Sequence, residues 1–173
     1  MLIFQVRNLL LDPSLHIPVE ATWEIDRVHT GEEEVHFLEP WHIQGEIVNV
    51  GGDALEFSAQ VTTSVQMACA RCTKPVQVPL CVTIQQRFAK DQASSTDPLD
   101  QDFDVLPIEN DRIDLEETIL HEVQLGIPMK VLCKEDCKGL CPICGQDLNE
   151  GQCDCETDSG DPRWEALKGL FSE

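Results

Sequence analysis

Residues 55–69 read Leu55-Glu-Phe-Ser-Ala-Gln-Val-Thr-Thr-Ser-Val-Gln-Met-Ala-Cys69. Apolar side chains fill most odd-numbered positions and polar side chains fill most even-numbered ones, which is the period of a strand with one buried face. The same period returns over residues 76–88, with one polar exception. The two segments therefore predict a long antiparallel hairpin, whose tip reads Cys69-Ala-Arg-Cys-Thr-Lys-Pro75.

Further strands are predicted before this hairpin, at residues 16–25 and 41–50, and Gly51-Gly-Asp53 is typical of the turn that would follow. Successive strands of this kind favour an α+β fold that is mainly β. We expect an antiparallel meander or a partly closed β-barrel with one or two short helices and a cysteine-rich C-terminal segment. The predicted division is an antiparallel β domain over residues 1–90, an acidic linker or loop over 91–112, and a C-terminal part over 113–173.

The linker is predicted from composition, because residues 91–111 hold seven acidic residues and neither Lys nor Arg. A helix is predicted to follow, since Asp114-Leu-Glu-Glu117 fits an aspartate form of the capping box and Gly126 with Pro128 ends the pattern. Its apolar stripe comprises Ile119, Leu120, Val123 and Ile127. A second short helix is predicted from Asp161-Pro162, with a stripe of Trp164, Leu167 and Phe171. Both stripes are expected to pack on the β domain.

The charge of the chain is strongly negative, with 12 basic and 32 acidic residues and a formal charge of −20. Such a balance repels nucleic-acid phosphates at long range, because each phosphate contact requires a Lys or Arg. Aromatic residues make up only 5% of the chain and Tyr is absent, so few side chains could stack on nucleic-acid bases. The composition therefore favours a protein partner with a basic surface.

The first twelve residues lack the basic start and small-residue cleavage site of a signal peptide, and Gln5, Arg7 and Asn8 interrupt their apolar positions. No apolar run approaches the roughly 18 residues of a membrane span. We therefore expect a cytoplasmic protein without membrane association, in which cysteines stay reduced and clustered cysteines indicate metal ligands.

Six of the nine cysteines lie between residues 133 and 155. Zinc binds four thiolates in a tetrahedron, and a two-residue spacer lets one tight turn direct two sulfurs at one ion. Cys141-Pro-Ile-Cys144-Gly145 has this form, and Gly145 allows the backbone to fold back towards the sulfurs. With Cys153 and Cys155 it completes a predicted structural zinc site within fifteen residues.

A second zinc site is predicted from the remaining cysteines that have suitable spacing, which are Cys69, Cys72, Cys133 and Cys137. This site would link the hairpin tip to the segment after the helix, giving two zinc ions per chain. A rival pairing joins the Cys69 turn to the Cys141 turn, and the spacing leaves both open. Cys81 has no neighbour at ligand spacing and is predicted to be a lone, half-buried thiol.

No catalytic constellation is recognised, so we expect a protein that is not an enzyme and has no small-molecule substrate. Two alternatives remain. Cys69-Ala-Arg-Cys72 has the spacing of a thiol redox pair, but such pairs start a helix and here a strand follows. A zinc-stabilised enzyme or nuclease acting on precursor RNA would need rigidly placed carboxylates, whereas the acids of residues 91–111 lie in the predicted loop.

Five basic residues flank the cysteines, namely Arg71, Lys74, Lys130, Lys134 and Lys138. They are expected to balance the negative charge of the tetrathiolate sites. Alternatively, they form a local patch that contacts RNA phosphate or a partner while the acidic remainder is held away.

The cysteine-rich segment Leu132–Cys155, followed by Asp161-Pro-Arg-Trp-Glu-Ala-Leu167, resembles the C-terminal signature of the YceD family, and Cys69-Ala-Arg-Cys72 resembles its internal Cys-x-Arg-Cys element. The resemblance covers the chain from about Gly45 onward. It implies a role in accumulation or processing of large-subunit (23S) ribosomal RNA, without catalytic activity. The expected function is that of a ribosome-assembly factor with structural zinc, whose partner is a ribosomal protein or another assembly factor.

Overall fold

The computed structural model describes residues 2–30, 33–90 and 105–155, and strands dominate these parts of the chain. The strands are β1 (Ile3–Gln5), β2 (His16–Trp23), β3 (Arg27–Thr30), β4 (Glu33–Phe37), β5 (Trp41–Gly51), β6 (Ala54–Ala68), β7 (Pro75–Ala89), β8 (Val105–Pro107) and β9 (Arg112–Asp114). The helices are α1 (Arg7–Leu11) and α2 (Glu116–Gly126). The predicted α+β fold that is mainly β is confirmed.

Strand β6 organises the larger sheet. It pairs with β5 along residues 54–62 and with β4 at residues 65–66, and β7 is its third neighbour. Farther out, β2 pairs with β5, β3 pairs with β4, and β8 lies parallel to β7. Strands β5, β6 and β7 are thus consecutive neighbours, as in the predicted meander, while β1 and β9 pair with each other in a separate sheet.

The alternation that predicts β6 is also what buries one of its faces. Leu55, Phe57 and Val61 have no exposed surface, whereas Gln60 and Thr62 beside them are exposed. Burying side chains of this size contributes about 2 kcal/mol each. The same core receives Trp41, Ile43 and Ile47 from β5, Ile84 and Phe88 from β7, and Val6 and Leu9 from the N-terminal segment that contains α1.

Helix α2 packs its predicted stripe against this core. Ile119 and Val123 are fully buried, and Leu120 and Ile127 are partly buried against the same cluster. At the end of the helix, a Cβ on Gly126 would lie 2.5 Å from a methyl carbon of Val82, so the close approach of helix and strand requires glycine.

The start of α2 differs in detail from the predicted capping box. The Asp114 carboxylate accepts a hydrogen bond of 2.9 Å from the amide of Glu116, two residues on, rather than from the amide three residues on. The Asp114 carboxylate still accepts from an amide of the first turn, where amides have no partner inside the helix. The second predicted helix, from Asp161-Pro162, lies outside the described residues.

Part of the segment predicted as an acidic linker is regular structure. Strand β8 lies within residues 91–112, and Arg112 begins β9. The reason is a short apolar run at the end of the acidic stretch, since Leu106 packs against the core and Ile108 is buried. Residues 91–104 lie outside the described part of the chain.

Contacts divide the chain into two units that do not follow chain order. The first unit comprises Met1–Met67 and Gln77–Met129 and contains the apolar core. The second comprises Ala68–Val76 and Lys130–Glu173, so it joins the hairpin tip to the cysteine-rich segment. Across residues 2–30, 33–90 and 105–155, neither helix is long and apolar enough to cross a membrane.

Candidate metal centre

Two tight turns with the same hydrogen bonds present cysteines in the second unit. In the first turn the Cys69 amide donates to the Lys74 carbonyl at 2.8 Å, and the Thr73 amide donates to the Cys69 carbonyl at 2.9 Å. In the second, the corresponding bonds are Cys141 to Gln146 at 2.8 Å and Gly145 to Cys141 at 2.9 Å. Each turn therefore holds two cysteines of a Cys-x-x-Cys pair on one side of the backbone.

The first cysteine cluster comprises Cys69, Cys72, Cys133 and Cys137, whose sulfur atoms all lie within 4.8 Å of one another. The sulfurs of Cys69 and Cys137 are 3.8 Å apart, and those of Cys72 and Cys133 are 3.6 Å apart. A tetrahedron with metal–sulfur bonds of about 2.3 Å has edges of about 3.8 Å, whereas a disulfide bond is only about 2.05 Å long. The spacing fits four ligands of one metal ion.

The second cysteine cluster comprises Cys141, Cys144, Cys153 and Cys155, again with all sulfurs within 4.8 Å. Cys141 is 2% exposed, which places this sulfur on the inner side of its cluster. The structure thus brings together the two predicted sets of four, and the rival pairing of the Cys69 turn with the Cys141 turn does not occur. In the described residues, these two all-cysteine sets are the groups of three or more side chains placed to hold a metal.

The thiols of the first cluster differ in acidity. Burial raises the pKa of Cys69, but hydrogen bonds from the amides of Arg71, Cys133 and Cys72 outweigh it and lower the pKa to about 6. The neighbouring sulfurs, Cys137 first, raise the pKa of Cys133 to about 12. Burial also raises the pKa of Cys137, but hydrogen bonds from the Asn149 side chain and the Gly139 amide outweigh it and lower the pKa. Some thiols of the cluster thus ionise readily and oppose ionisation of the others, which is the charge distribution that a bound cation would relieve.

The thiols of the second cluster also differ in acidity. Hydrogen bonds from the amides of Cys144 and Ile143 lower the pKa of Cys141 to about 6. The adjacent sulfur of Cys144 is the main cause that raises the pKa of Cys155 to about 12. A thiolate at the start of the turn is thus stabilised by the turn's own amides.

Two sulfurs of the first cluster accept hydrogen bonds from N–H groups. The amide of Cys133 donates to the Cys69 sulfur at 3.4 Å, and the side-chain Nδ2 of Asn149 donates to the Cys137 sulfur at 3.4 Å. Asn149 was not among the predicted site residues, and its place in sequence between Cys144 and Cys153 carries no signal for contact with the other cluster.

Cys81 is exposed rather than half-buried, which corrects the prediction for this thiol. Leu80 and Val82 on either side are buried, so the pleat of β7 turns the intervening side chain to solvent. Cys81 belongs to neither cluster.

Residues 57–171 match the family described as "Large ribosomal RNA subunit accumulation protein YceD". This range contains all eight cysteines of the two clusters and two thirds of the chain. The chain belongs to the YceD family.

Several curated proteins are similar to this YceD-family chain. An uncharacterised protein of Mycobacterium tuberculosis is 36% identical over 99 residues, which is 57% of this chain and 47% of the relative. Uncharacterised protein YlbN of Bacillus subtilis is 23% identical over 172 residues, covering 99% of this chain and 95% of the relative. The chloroplastic "Large ribosomal RNA subunit accumulation protein YCED homolog 1" of Arabidopsis thaliana is 26% identical over 141 residues, 67% of this chain and 44% of the relative.

The match thus spans about half the length of the mycobacterial relative, at 47%, and slightly less of the plant relative, at 44%. No solved structure matches the chain.

The basic residues around the cysteines of this YceD-family chain are held in different ways. Nη1 of Arg71 donates to the Cys137 carbonyl oxygen at 2.7 Å, so this side chain fastens the turn to a ligand-bearing segment. Nζ of Lys74 lies 2.7 Å from carboxylate oxygens of both Asp147 and Glu150. These two cations therefore have partners inside the second unit.

The other three basic residues lack close partners of this kind among the described residues. Nζ of Lys134 lies 4.0 Å from Oδ1 of Asp136, which is a long contact between two exposed side chains. Lys130 and Lys138 are exposed, and neither makes an ion pair within the described ranges. The predicted set of five thus divides into two structural cations and three lysines available for contact.

Proposed function

We propose that this protein is a non-enzymatic ribosome-assembly factor that supports accumulation or processing of large-subunit (23S) ribosomal RNA, with two structural zinc ions. The observation that carries this proposal is the family match over residues 57–171, which includes both cysteine clusters. The names of two matched plant relatives, from Arabidopsis thaliana and Zea mays, refer to accumulation of large-subunit ribosomal RNA.

Zinc is the metal that the donor sets favour. Four thiolates at tetrahedral spacing are typical of structural zinc, and they leave no open coordination position for a substrate. Zinc would supply cross-linking of chain segments, without redox chemistry. Cross-linking is needed in the second unit, where the buried cluster of the described residues consists of Cys69, Cys72 and Cys137, with Val76 and Leu132 packed against it. Metal would thus take the place of an apolar core.

The proposed partner is a protein with a basic surface, such as a ribosomal protein or another assembly factor, encountered in the cytoplasm. The support is electrostatic. A chain with a formal charge of −20 attracts basic proteins and repels RNA at long range. Two of the cations beside the cysteines, Arg71 and Lys74, are held by partners within the chain.

Metal content tests the zinc proposal directly. We expect about two zinc ions per chain in protein prepared without chelator. Cys133→Ser and Cys144→Ser remove one ligand from the first and the second cluster, and each should lower the zinc content. Cys81→Ser removes an exposed thiol outside both clusters and is the matched control. Less than half an equivalent of zinc in the wild type would sink the zinc proposal.

Ribosomal RNA tests the biological role. Cells depleted of the protein should show a lower ratio of 23S to 16S ribosomal RNA, restored by the wild type and by Cys81→Ser. The variant Cys133→Ser/Cys144→Ser should restore it poorly. An unchanged ratio on depletion would contradict the proposed role. Purified protein incubated with 23S precursor RNA should leave it intact, whereas cleavage would support the nuclease alternative.

A further inference from the structure

The loop of residues 146–150 lies in sequence between the two ligand pairs of the second cluster, yet it contacts the first. Cys144 precedes it and Cys153 follows it closely. From this loop Asn149 donates through Nδ2 to the sulfur of Cys137, a member of the first cluster, at 3.4 Å. One loop therefore belongs by sequence to one cluster and by hydrogen bonding to the other.

The orientation of the Asn149 side chain is fixed on both sides. Its Oδ1 accepts a hydrogen bond of 2.9 Å from the amide of Lys138, the residue after Cys137. Its Nδ2 must then face the opposite way, where it also donates to Asp147 Oδ1 at 2.7 Å. Asn149 thus makes two hydrogen bonds at Cys137, one to its sulfur and one to the amide of the residue that follows it.

Ion pairs tie the same loop to the first Cys-x-x-Cys turn. Asp147, whose Oδ1 accepts from Asn149, places Oδ2 2.7 Å from Nζ of Lys74, two residues after Cys72. Near the loop, the amide of Leu140 donates to the Arg71 carbonyl at 3.1 Å. A continuous chain of polar contacts runs from the first turn, through Asp147 and Asn149, and back to Cys137.

We propose that the two cysteine clusters bind metal cooperatively, and that Asn149 is the positioning residue that couples them. This inference rests on the proposed metal binding. A metal ion in the second cluster fixes both ends of the 146–150 loop, so the loop presents Nδ2 of Asn149 to Cys137. A hydrogen bond to a thiolate sulfur stabilises its charge and its orientation as a ligand. By thermodynamic linkage, metal in the first cluster raises the affinity of the second by the same factor.

The direct test keeps all eight cysteines. Asn149→Ala removes the donor to Cys137, and Asn149→Asp also removes it while keeping an oxygen that can accept from the Lys138 amide. Loss of such an outer hydrogen bond typically lowers metal affinity about 10- to 100-fold. Both variants should show this loss for one of the two metal ions, measured with Co²⁺ by its thiolate absorption bands and with Zn²⁺ against a coloured chelator. Asn8→Ala, an exposed asparagine in α1, is the control and should leave both affinities unchanged.

The aspartate variant keeps an acceptor for the Lys138 amide but removes the donor to Cys137, and its negative charge lies beside the thiolates. Both effects lower metal affinity, so wild-type binding of both metal ions by Asn149→Asp would overturn the inference.

A second experiment measures the coupling itself. Cys153→Ser/Cys155→Ser disables the second cluster, and the affinity of the first should fall about 10-fold or more. Adding Asn149→Ala to this variant should lower the metal affinity of the first cluster little further, because both changes remove the same contact. An affinity of the first cluster that does not depend on the second would refute cooperativity while leaving the zinc proposal intact. A wild type that binds no metal would instead remove the zinc proposal itself.

Discussion

Thr73 and Gly145 occupy the same position in the two Cys-x-x-Cys turns, and both have left-handed backbones, with φ of 58° and 75°. Glycine adopts this conformation freely, whereas a β-branched residue is strained there by about 1–2 kcal/mol. The first turn therefore carries strain that the second does not. We predict that Thr73→Gly raises the free energy of unfolding by about 1 kcal/mol, since part of the relief is offset by the freer unfolded chain.

Urea unfolding of the metal-loaded protein measures this change. Thr62→Gly is the matched control, because Thr62 is an exposed threonine in the extended backbone of β6. Glycine in a strand lowers stability by about 0.5–1 kcal/mol, so the two substitutions should have opposite signs. The same destabilisation from both would show that Thr73 is not strained.

Gly139 supports a close backbone approach within the second unit. Its φ is +78°, and an added Cβ would lie 3.0 Å from the carbonyl oxygen of Arg71. Gly145 has a similar φ of +75°, but nothing lies within 4 Å of its added Cβ. We predict that Gly139→Ala lowers the free energy of unfolding by about 2 kcal/mol and Gly145→Ala by about 1 kcal/mol. Equal losses would show that the approach to Arg71 relaxes easily.

The sequence specifies the strands and the cysteine clusters because both have local signals. A period of two recurs in residues 55–69 and 76–88, and the structure has strands there. Cysteine spacing predicts the eight ligand residues, since tetrahedral binding favours pairs that come from short segments. It leaves open how the Cys69 and Cys141 turns are paired, and the structure places them in separate clusters. The pleat of β7 also requires Cys81 to be exposed, so the half-buried prediction neglected a signal that was present.

The contacts of Asn149 could not be predicted in this way. They join residues that are adjacent only once both clusters have formed, and a single asparagine has no characteristic spacing to its partner. The pairing of Lys74 with Asp147 is similar, because the acidic chain offers many equivalent carboxylates. Short elements such as α1 and β8 were also missed, since tertiary packing rather than periodicity stabilises them.

The lowered thiol pKa values predict how metal affinity depends on pH. Cys69 and Cys141 each have a pKa near 6, lowered from 9.0. Above pH 6 these two thiolates already exist, so metal binding displaces protons only from the other thiols. As the pH falls through 6 both become protonated, and the slope of log affinity against pH should steepen by about one proton per cluster.

Zinc competition with a chelator of known pH dependence, from pH 5 to 8, checks this slope. A slope that stays constant through pH 6 would contradict the prediction. Cys81→Ser should give the same curve as the wild type, because its thiol lies outside both clusters.

Chelation should loosen the second unit more than the first. The first unit keeps an apolar core that includes Trp41, Phe57 and Phe88, whereas in the described part of the second unit the buried cluster consists of cysteines. After metal removal we expect rapid hydrogen exchange at the amides of Cys69 and Cys141, and slow exchange in the centre of β5 and β6. Exchange that slows again when Zn²⁺ is restored is the control. Equal protection of both units in the metal-free protein would contradict a structural role for metal.

The last prediction concerns RNA. All five cations near the clusters are exposed, but Arg71 and Lys74 are held by close partners. Among the described residues, Lys130 and Lys138 make no ion pair and Lys134 makes only a 4.0 Å contact with Asp136. The screening length at physiological salt is about 8 Å, so nearby charges matter more than the distant acidic surface. If the lysines contact phosphate, changing all three to Gln should weaken binding to 23S RNA fragments and flatten its salt dependence, with zinc content unchanged.

Because the proposed partner is a basic protein, we expect no such loss. The wild type should bind RNA weakly, and Lys130→Gln/Lys134→Gln/Lys138→Gln should not weaken that binding further. Glu135→Gln/Asp136→Asn is the matched control, since it removes exposed negative charge beside the same lysines. It should leave weak binding unchanged if no RNA site exists, and strengthen binding if the lysines form one. Arg71 and Lys74 stay unaltered in every variant, so any change reports surface charge rather than damage to the turn. A loss of affinity and salt slope in the lysine variant would place RNA in direct contact with the second unit.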